Sequence, residues 1–397
     1  MHQTTKVKYG DFANNSHHDC YGEHLSHNRR IADFRVLPLL LVGFAIYQLD
    51  RTNIASALTG NFMTIIDVDQ NTINLGNQLM FLGVILLEIP SNVILHKIGP
   101  RKWISAQVGI FGMVACFQIF VRNKSGFLLT RTLLGLAEAG YIPAAMYTLS
   151  TWYTTAKLTK RIAIFFFGMF GATGLSPLLG AALLKLNGKC GLFGWQWIFL
   201  VEGLFSIAMA VVLFFFLPEH QKPPLPFHPL RTLEEAERRR PNEALTVSGK
   251  TRISFRLVWE TLTNMRRWPH FIATGCVFGT WSPLTTYTPS IIMELGFTRI
   301  EANAFAAIGS LLTLPVIFLF AWVSDKTNKR GLIVMIAIFV YLVALMITRV
   351  LVHHVDKWGK FGLWTTVNIL AVGYHPIHNA WIQINCKSPE ERSINVA

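Results

Sequence analysis

A chain of 397 residues that is 52% hydrophobic and only 15% charged, with mean hydropathy +0.39, is too apolar for a soluble domain, where about 25% of residues are charged. Its net charge of +14, from 36 Lys and Arg against 22 Asp and Glu, raises nucleic acid as a partner. That partner is not expected, because the basic residues gather in the N-terminal tail and in alternate loops, as membrane topology and anionic lipid require.

Residues 1–30 are polar, carry His17, His18, His24 and His27, and lack any apolar run, so they read as a disordered cytoplasmic tail without a signal peptide. About ten apolar runs follow, each near the ~20 residues that cross a bilayer. They are roughly Val36–Leu58, Gly76–Leu95, Trp103–Val121, Phe127–Ser150, Arg161–Leu186, Trp197–Leu217, His270–Leu295, Ala302–Val323, Leu332–Val352 and Phe361–Trp381. None alternates in the manner of a barrel strand, so each is expected to be a helix. The expected class is an all-α polytopic membrane protein, with a six-helix half at 31–217, a basic cytoplasmic loop at 218–269 and a partial second half at 270–397.

The first span ends in Asp50-Arg51, and the fourth contains Arg131 and Glu138. Seven residues are two helical turns, so Arg131 and Glu138 share a side, about 10 Å apart along the axis. A charge in hydrocarbon costs on the order of 3 kcal/mol and persists only facing a polar interior, where it marks an ion or substrate path. Glu88 and Glu202 also fall in spans, but read as structural, bonding loop arginines or backbone amides. Gly168, Gly171, Gly174 and Gly180 in the fifth span are expected to permit close helix contact.

The central loop opens with Pro223, Pro224, Pro226 and Pro229, a stiff spacer. Thr232-Leu233-Glu234-Glu235 forms a capping box. Ser254–Asn264 places Phe255, Val258, Trp259 and Leu262 on one face, suited either to the membrane surface or to packing on the protein.

In the seventh span Trp281, Thr285, Thr286 and Tyr287 lie near the middle, with Pro283 and Pro289 expected to break the helix. Trp281 and Tyr287 are candidates to stack on a flat ring, with core packing the alternative. The tenth span holds His375 and His378, one turn apart, as candidates to line a cavity. Two histidines do not make a metal site. Five cysteines without close spacing give no zinc pattern and no disulfide framework. No order of residues for an enzyme appears.

The two halves share a faint repeat. His96-Lys97-Ile98-Gly99-Pro100-Arg101-Lys102 follows the second span, and Ser324-Asp325-Lys326-Thr327-Asn328-Lys329-Arg330 follows the eighth. The chain resembles the major facilitator superfamily, whose signature Gly-x-x-x-Asp-Arg/Lys-x-Gly-Arg/Lys-Arg/Lys these turns follow. Asp325, Lys326, Lys329 and Arg330 keep it in the second turn; Gly99, Arg101 and Lys102 keep part of it in the first, where His96 replaces the aspartate. Within the superfamily the chain resembles the anion:cation symporters, closest to fungal allantoate, nicotinate and pantothenate permeases. Leu49-Asp50-Arg51-Thr52-Asn53-Ile54, Glu88-Ile89-Pro90-Ser91-Asn92, the Arg131–Pro143 stretch, Trp152-Tyr153 and Gly194-Trp195-Gln196-Trp197-Ile198-Phe199 before Glu202-Gly203 carry that likeness in order.

The resemblance implies proton-coupled symport of a small organic carboxylate. Asp50 and Glu138 are the implied proton-coupling residues, and Arg51 and Arg131 the implied carboxylate partners, with a proton as coupling ion and no cofactor. It also implies the plasma membrane, a cytoplasmic N-terminus and a monomer. Members have twelve spans, so about ten reads as a truncated form. The alternatives are a facilitated uniporter of a neutral solute, and a non-transporting receptor or regulatory partner of a full-length transporter.

Overall fold

The computed structural model describes residues 32–153, 155–218, 263–265, 267–327, 329–375, 377–378 and 381. The tail, most of the central loop with its capping box and amphipathic segment, and the end of the chain lie outside them.

A backbone in hydrocarbon must satisfy its polar groups within its own segment, and among the described residues every regular element is a helix. In chain order these are α1 (Leu37–Thr59), α2 (Gln70–Ile98), α3 (Pro100–Phe117), α4 (Lys124–Glu138), α5 (Tyr141–Trp152), α6 (Thr155–Leu184) and α7 (Gly194–Phe216). There follow α8 (Trp268–Glu294), α9 (Arg299–Thr327), α10 (Arg330–Leu351) and α11 (Lys357–Leu370). Short polar side chains start several of them: Asp69 accepts from the Thr72 amide (3.0 Å), Asn123 from that of Gly126 (2.8 Å) and Asp356 from that of Gly359 (3.0 Å). At the first basic turn Gly99 has φ +95°, and Pro100 opens α3 directly behind it. Arg101 then donates to the Phe214 carbonyl and lies over the Phe214 ring, tying the start of α3 to the end of α7.

Six of these helices are long and apolar enough to cross a membrane on length and composition: α2, α3, α6, α7, α9 and α10. The spans that fall short are α1, α4 with α5, α8 and α11. Their apolar runs are interrupted by the polar side chains of the interior or by breaks in the helix.

Lipid tails are as apolar as leucine, so helices here associate through close packing rather than through the hydrophobic effect. On α4, a Cβ at Gly135 would fall on the Met80 carbonyl of α2. On α7, one at Gly203 would lie 2.7 Å from the Cys116 amide nitrogen of α3. On α6, one at Gly168 would lie 2.5 Å from the Leu41 carbonyl oxygen of α1. Gly174 and Gly180 likewise abut Leu311 and Ser56, whereas Gly171, expected to join them, faces open space. Inside, Phe44 stacks on Phe165 (centroids 4.4 Å apart) and Tyr47 on Tyr141 (5.3 Å). Ile85, Leu86 and Ile89 on α2 and Met335 and Phe339 on α10 point outward, as lipid-facing side chains do.

Three spans differ from expectation. The fourth is two helices, α4 and α5, because Gly140 adopts φ +87°. The seventh is one continuous helix through Pro283 and Pro289. There the hydroxyls of Thr285, Thr286 and Thr288 donate to carbonyls of the preceding turn, those of Ser282 and Leu284 among them, while each proline removes one backbone bond without ending the helix. The tenth leaves regular helix after Leu370, just before His375. Across the two groups of helices, α6 packs along α9 and α8 against α1.

Candidate functional site

Four ionisable side chains come together between α1 and α4. Asp50 and Arg131 are fully buried, Glu138 is 1% exposed, and Arg51 alone keeps access, with 15% of its side chain exposed. The α4–α5 break shapes this cluster. Glu138 is the last residue of α4, Ala139 turns out of the helix (ψ 122°), and a Cβ at Gly140 would collide with the Ser91 side chain. Gln107 of α3 fills the gap in the ladder: its amide donates to the Ala139 carbonyl and to Ser91 Oγ (3.0 Å), which also accepts from Trp103 Nε1 (3.0 Å).

Arg131 and Glu138 share a helix face, but the contact Glu138 makes is with Arg51, whose Nε lies 3.5 Å from Glu138 Oε2. Arg51 is also held by Tyr47, whose hydroxyl accepts from Nη1 (2.6 Å), and lies between the Tyr47 and Phe81 rings at 5.2 and 4.8 Å. Asp50 accepts a 2.6 Å hydrogen bond from Ser206 Oγ on α7. Arg131 rests over the Phe127 ring (5.7 Å) and faces Glu138 and Asp50. None of its three guanidinium nitrogens finds a hydrogen-bond partner among the described residues.

Two carboxyls expected to be structural stand beside this cluster. Glu88 faces Arg51, and Glu202, 2% exposed, faces Asp50 and Asn53. Among the described residues neither is paired with a loop arginine.

A second, neutral space lies between the two groups of helices. This cavity, about 30 Å³ and room for roughly one or two waters, is lined by α1, α6, α8, α9 and α11. Its polar lining includes Thr52, Thr173, Ser176, Trp281, Thr285, Thr288, Ser310, Thr313 and Asn368. Thr288 Oγ1 lies 3.2 Å from Asn368 Oδ1, to which it can donate. Of the second-half candidates, Trp281 lines it. Tyr287 instead donates to Asn74 Oδ1 (2.7 Å) at the end of the bundle where α1 finishes. Arg299 to Asn61 (3.0 Å) and Asn303 to Thr59 (2.7 Å) close the same end. His375 is buried with its ring edge-on to Phe166, 6.3 Å between centroids. His378 Nε2 sits 3.0 Å from His270 Nδ1, and its Nδ1 3.4 Å from Thr274 Oγ1, away from the cavity. In the second basic turn Lys326 lies over Trp322 (5.1 Å), and Lys329 and Arg330 lead into α10; the Asp325 side chain is outside the described residues. Among the described residues no three His, Cys, Asp or Glu side chains are placed to hold a metal ion.

An all-helical bundle with ionised side chains inside its apolar helices is the architecture of a polytopic membrane transporter. The chain matches the Major Facilitator Superfamily over residues 40–393 and belongs to that family, whose members are transporters and not enzymes. It is similar to an uncharacterized transporter of Saccharomyces cerevisiae, 28% identical over 380 residues, covering 93% of this chain and 70% of that one. It is also similar to a candidate tartrate transporter of Agrobacterium vitis, 31% identical over 303 residues, covering 75% of this chain and 65% of that one. The chain thus spans about two thirds of the length of these relatives. In fold it is similar to a bacterial homolog of the human lysosomal transporter Spinster, with TM-score 0.64 and 19% identity over 91% of this chain and 77% of the other.

Proposed function

We propose that this chain serves proton-coupled symport of a small organic carboxylate, in the manner of an anion:cation symporter. The observation that carries the reading is Arg51: a guanidinium fixed by Tyr47 and Phe81, partly open, and contested by Glu138 at 3.5 Å. A planar guanidinium offers a carboxylate two parallel charge-assisted bonds and keeps its charge at any physiological pH. Glu138 occupies the place such a ligand would take. A proton on Glu138 removes that competitor and frees Arg51; loss of the proton restores the pair and expels the anion. Arg131, with three buried unbonded nitrogens, supplies further positive charge behind it. The name of the Agrobacterium relative refers to tartrate, itself a carboxylate, which supports this substrate class. Within that class, nicotinate-, allantoate- and pantothenate-like acids are the substrates to test. The loop basicity supports a cytoplasmic N-terminus; the plasma membrane and a monomeric state belong to the same proposal.

The neutral cavity favours a second reading, facilitated passage of an uncharged solute, because its lining holds hydroxyls, an amide and an indole but no charge. One experiment separates them. The full chain is reconstituted in vesicles and given labelled carboxylates, with and without an inward proton gradient. Symport requires accumulation only with the gradient, and Glu138→Gln should abolish accumulation while leaving exchange. Accumulation intact in Glu138→Gln, or uptake indifferent to the gradient, overturns the proposal; indifference together with uptake of a neutral solute supports the second reading.

A further inference from the structure

Of the three fully buried carboxyls among the described residues, Glu202 alone faces no arginine. It lies on α7 one turn before Ser206; Ser206 bonds Asp50 of α1, and Glu202 faces Asp50 and Asn53 of the same helix. All four residues are at most 2% exposed. Ser206 Oγ bonds Asp50 Oδ2 at 2.6 Å and lies 3.1 Å from the Glu202 carbonyl oxygen. Asp50 Oδ1 has no hydrogen-bond partner among the described residues, and the Glu202 carboxyl is met by the Asn53 side chain rather than by a cation. Two neighbouring groups face Asp50 without bonding that oxygen. From α4, Arg131 faces Asp50 but is shared with Glu138. From α3, the Cys116 thiol faces Asp50 and lies 3.9 Å from the Leu200 carbonyl. Buried polar atoms are nearly always bonded, and exceptions need an explanation. Two buried carboxyls sharing one space cannot both ionise readily.

We propose that Asp50 and Glu202 form a carboxyl pair that shares one proton, which makes Glu202 a proton-binding site additional to Glu138. One O–H bond on the pair leaves a single negative charge for Arg131 to meet. A proton arriving from water forms a second O–H bond and neutralises the pair, leaving Arg131 to Glu138 or to an incoming anion. Its return to water breaks that bond and restores the charge. Asn53 suits both conditions, since its amide nitrogen donates to a carboxylate and its oxygen accepts from a carboxylic acid. The use of this site in transport rests on the symport reading above; the binding of a proton does not.

The test therefore has two arms. In the first, the full chain in lipid nanodiscs is titrated by infrared difference spectroscopy in the carboxylic-acid carbonyl region. A protonated-acid band should persist at neutral pH, be lost in Glu202→Gln, remain with a shifted titration in Asp50→Asn, and survive in Glu138→Gln. Glu202→Asp, which keeps the acid but withdraws it, should retain a band with a displaced titration. A Glu202→Gln titration that superimposes on the wild type overturns the proposal, as does a Glu202→Asp titration identical to wild type should Glu202→Gln not fold. In the second, the ratio of protons to substrate moved should fall by one in Glu202→Gln. An infrared change without proton-driven accumulation in the wild type leaves the carboxyl pair standing and removes the symport reading instead.

Discussion

The two groups of helices present opposite chemistries to the interior. From the first come Asp50, Arg51, Arg131, Glu138 and Glu202, all inside helices and nearly all sealed from water. From the second come Trp281, Thr285, Thr288, Ser310, Thr313 and Asn368 around a neutral cavity. The second group's charges sit at helix ends: Arg299 and Glu301 open α9, Lys326 closes it, and Lys357 opens α11. Burying a charge is costly unless it is paired, whereas a hydroxyl in a helix can bond its own backbone. The first group therefore suits an ion and its counter-ion, and the second suits the uncharged remainder of a solute.

Replacing charges should test that contrast most severely. Arg131→Met leaves Asp50 and Glu138 buried without their shared cation and should lower stability by on the order of 3–5 kcal/mol, read as a large fall in unfolding temperature in detergent. Lys326→Met at a helix end should change it by less than about 0.5 kcal/mol. Equal effects would dissolve the distinction. Next in size, Gly135→Ala forces a methyl onto the Met80 carbonyl and should cost about 1–3 kcal/mol, while Gly171→Ala, facing open space, should be silent. On the neutral side, Asn368→Ala removes one partner of Thr288 and should weaken substrate by about 1 kcal/mol, roughly fivefold in affinity, without moving the pH profile. A moved profile would place titrating chemistry on the second group as well.

The smallest effect lies outside the membrane. The Thr72 hydroxyl and amide, both bonding Asp69, hold its carboxyl below the usual carboxylate range. A depressed value means that the cap stabilises the fold above the ordinary aspartate range, and that this is lost as pH falls through the depressed value. Asp69→Asn should flatten that acid limb in a pH-dependent melting series; Asn123→Ala, a neutral cap, should lower stability by about 1 kcal/mol equally at every pH.

Much of this is legible in the sequence. Asp50, Arg51, Arg131 and Glu138 announce themselves because ionised side chains in apolar runs demand a reason. Their pairing does not. Periodicity puts Arg131 and Glu138 on one face of one helix, yet Arg51 reaches Glu138 from another, and only packing between helices decides that. The break at Gly140 is hidden in the apolar run Ala139-Gly140-Tyr141-Ile142-Pro143, although a glycine with a proline one to three residues beyond it marks a helix end. Pro283 and Pro289 mislead in the other direction, since each removes one backbone bond and the helix runs on through both. That Glu202 lies toward Asp50 is likewise decided by how α7 packs on α1.

The glycine crossings carry a mechanical consequence. Where Gly135 meets Met80 and Gly203 meets Cys116, peptide groups touch with almost no side chain between them. Such joints have nothing soft to compress, so α2 with α4, and α3 with α7, behave as stiff couples, and displacement has to be taken up elsewhere. The break at Ala139–Gly140 is pinned as well, by Gln107 on the Ala139 carbonyl and by Ser91 against Gly140, so the start of α5 is tied to α2 and α3 rather than left to swing.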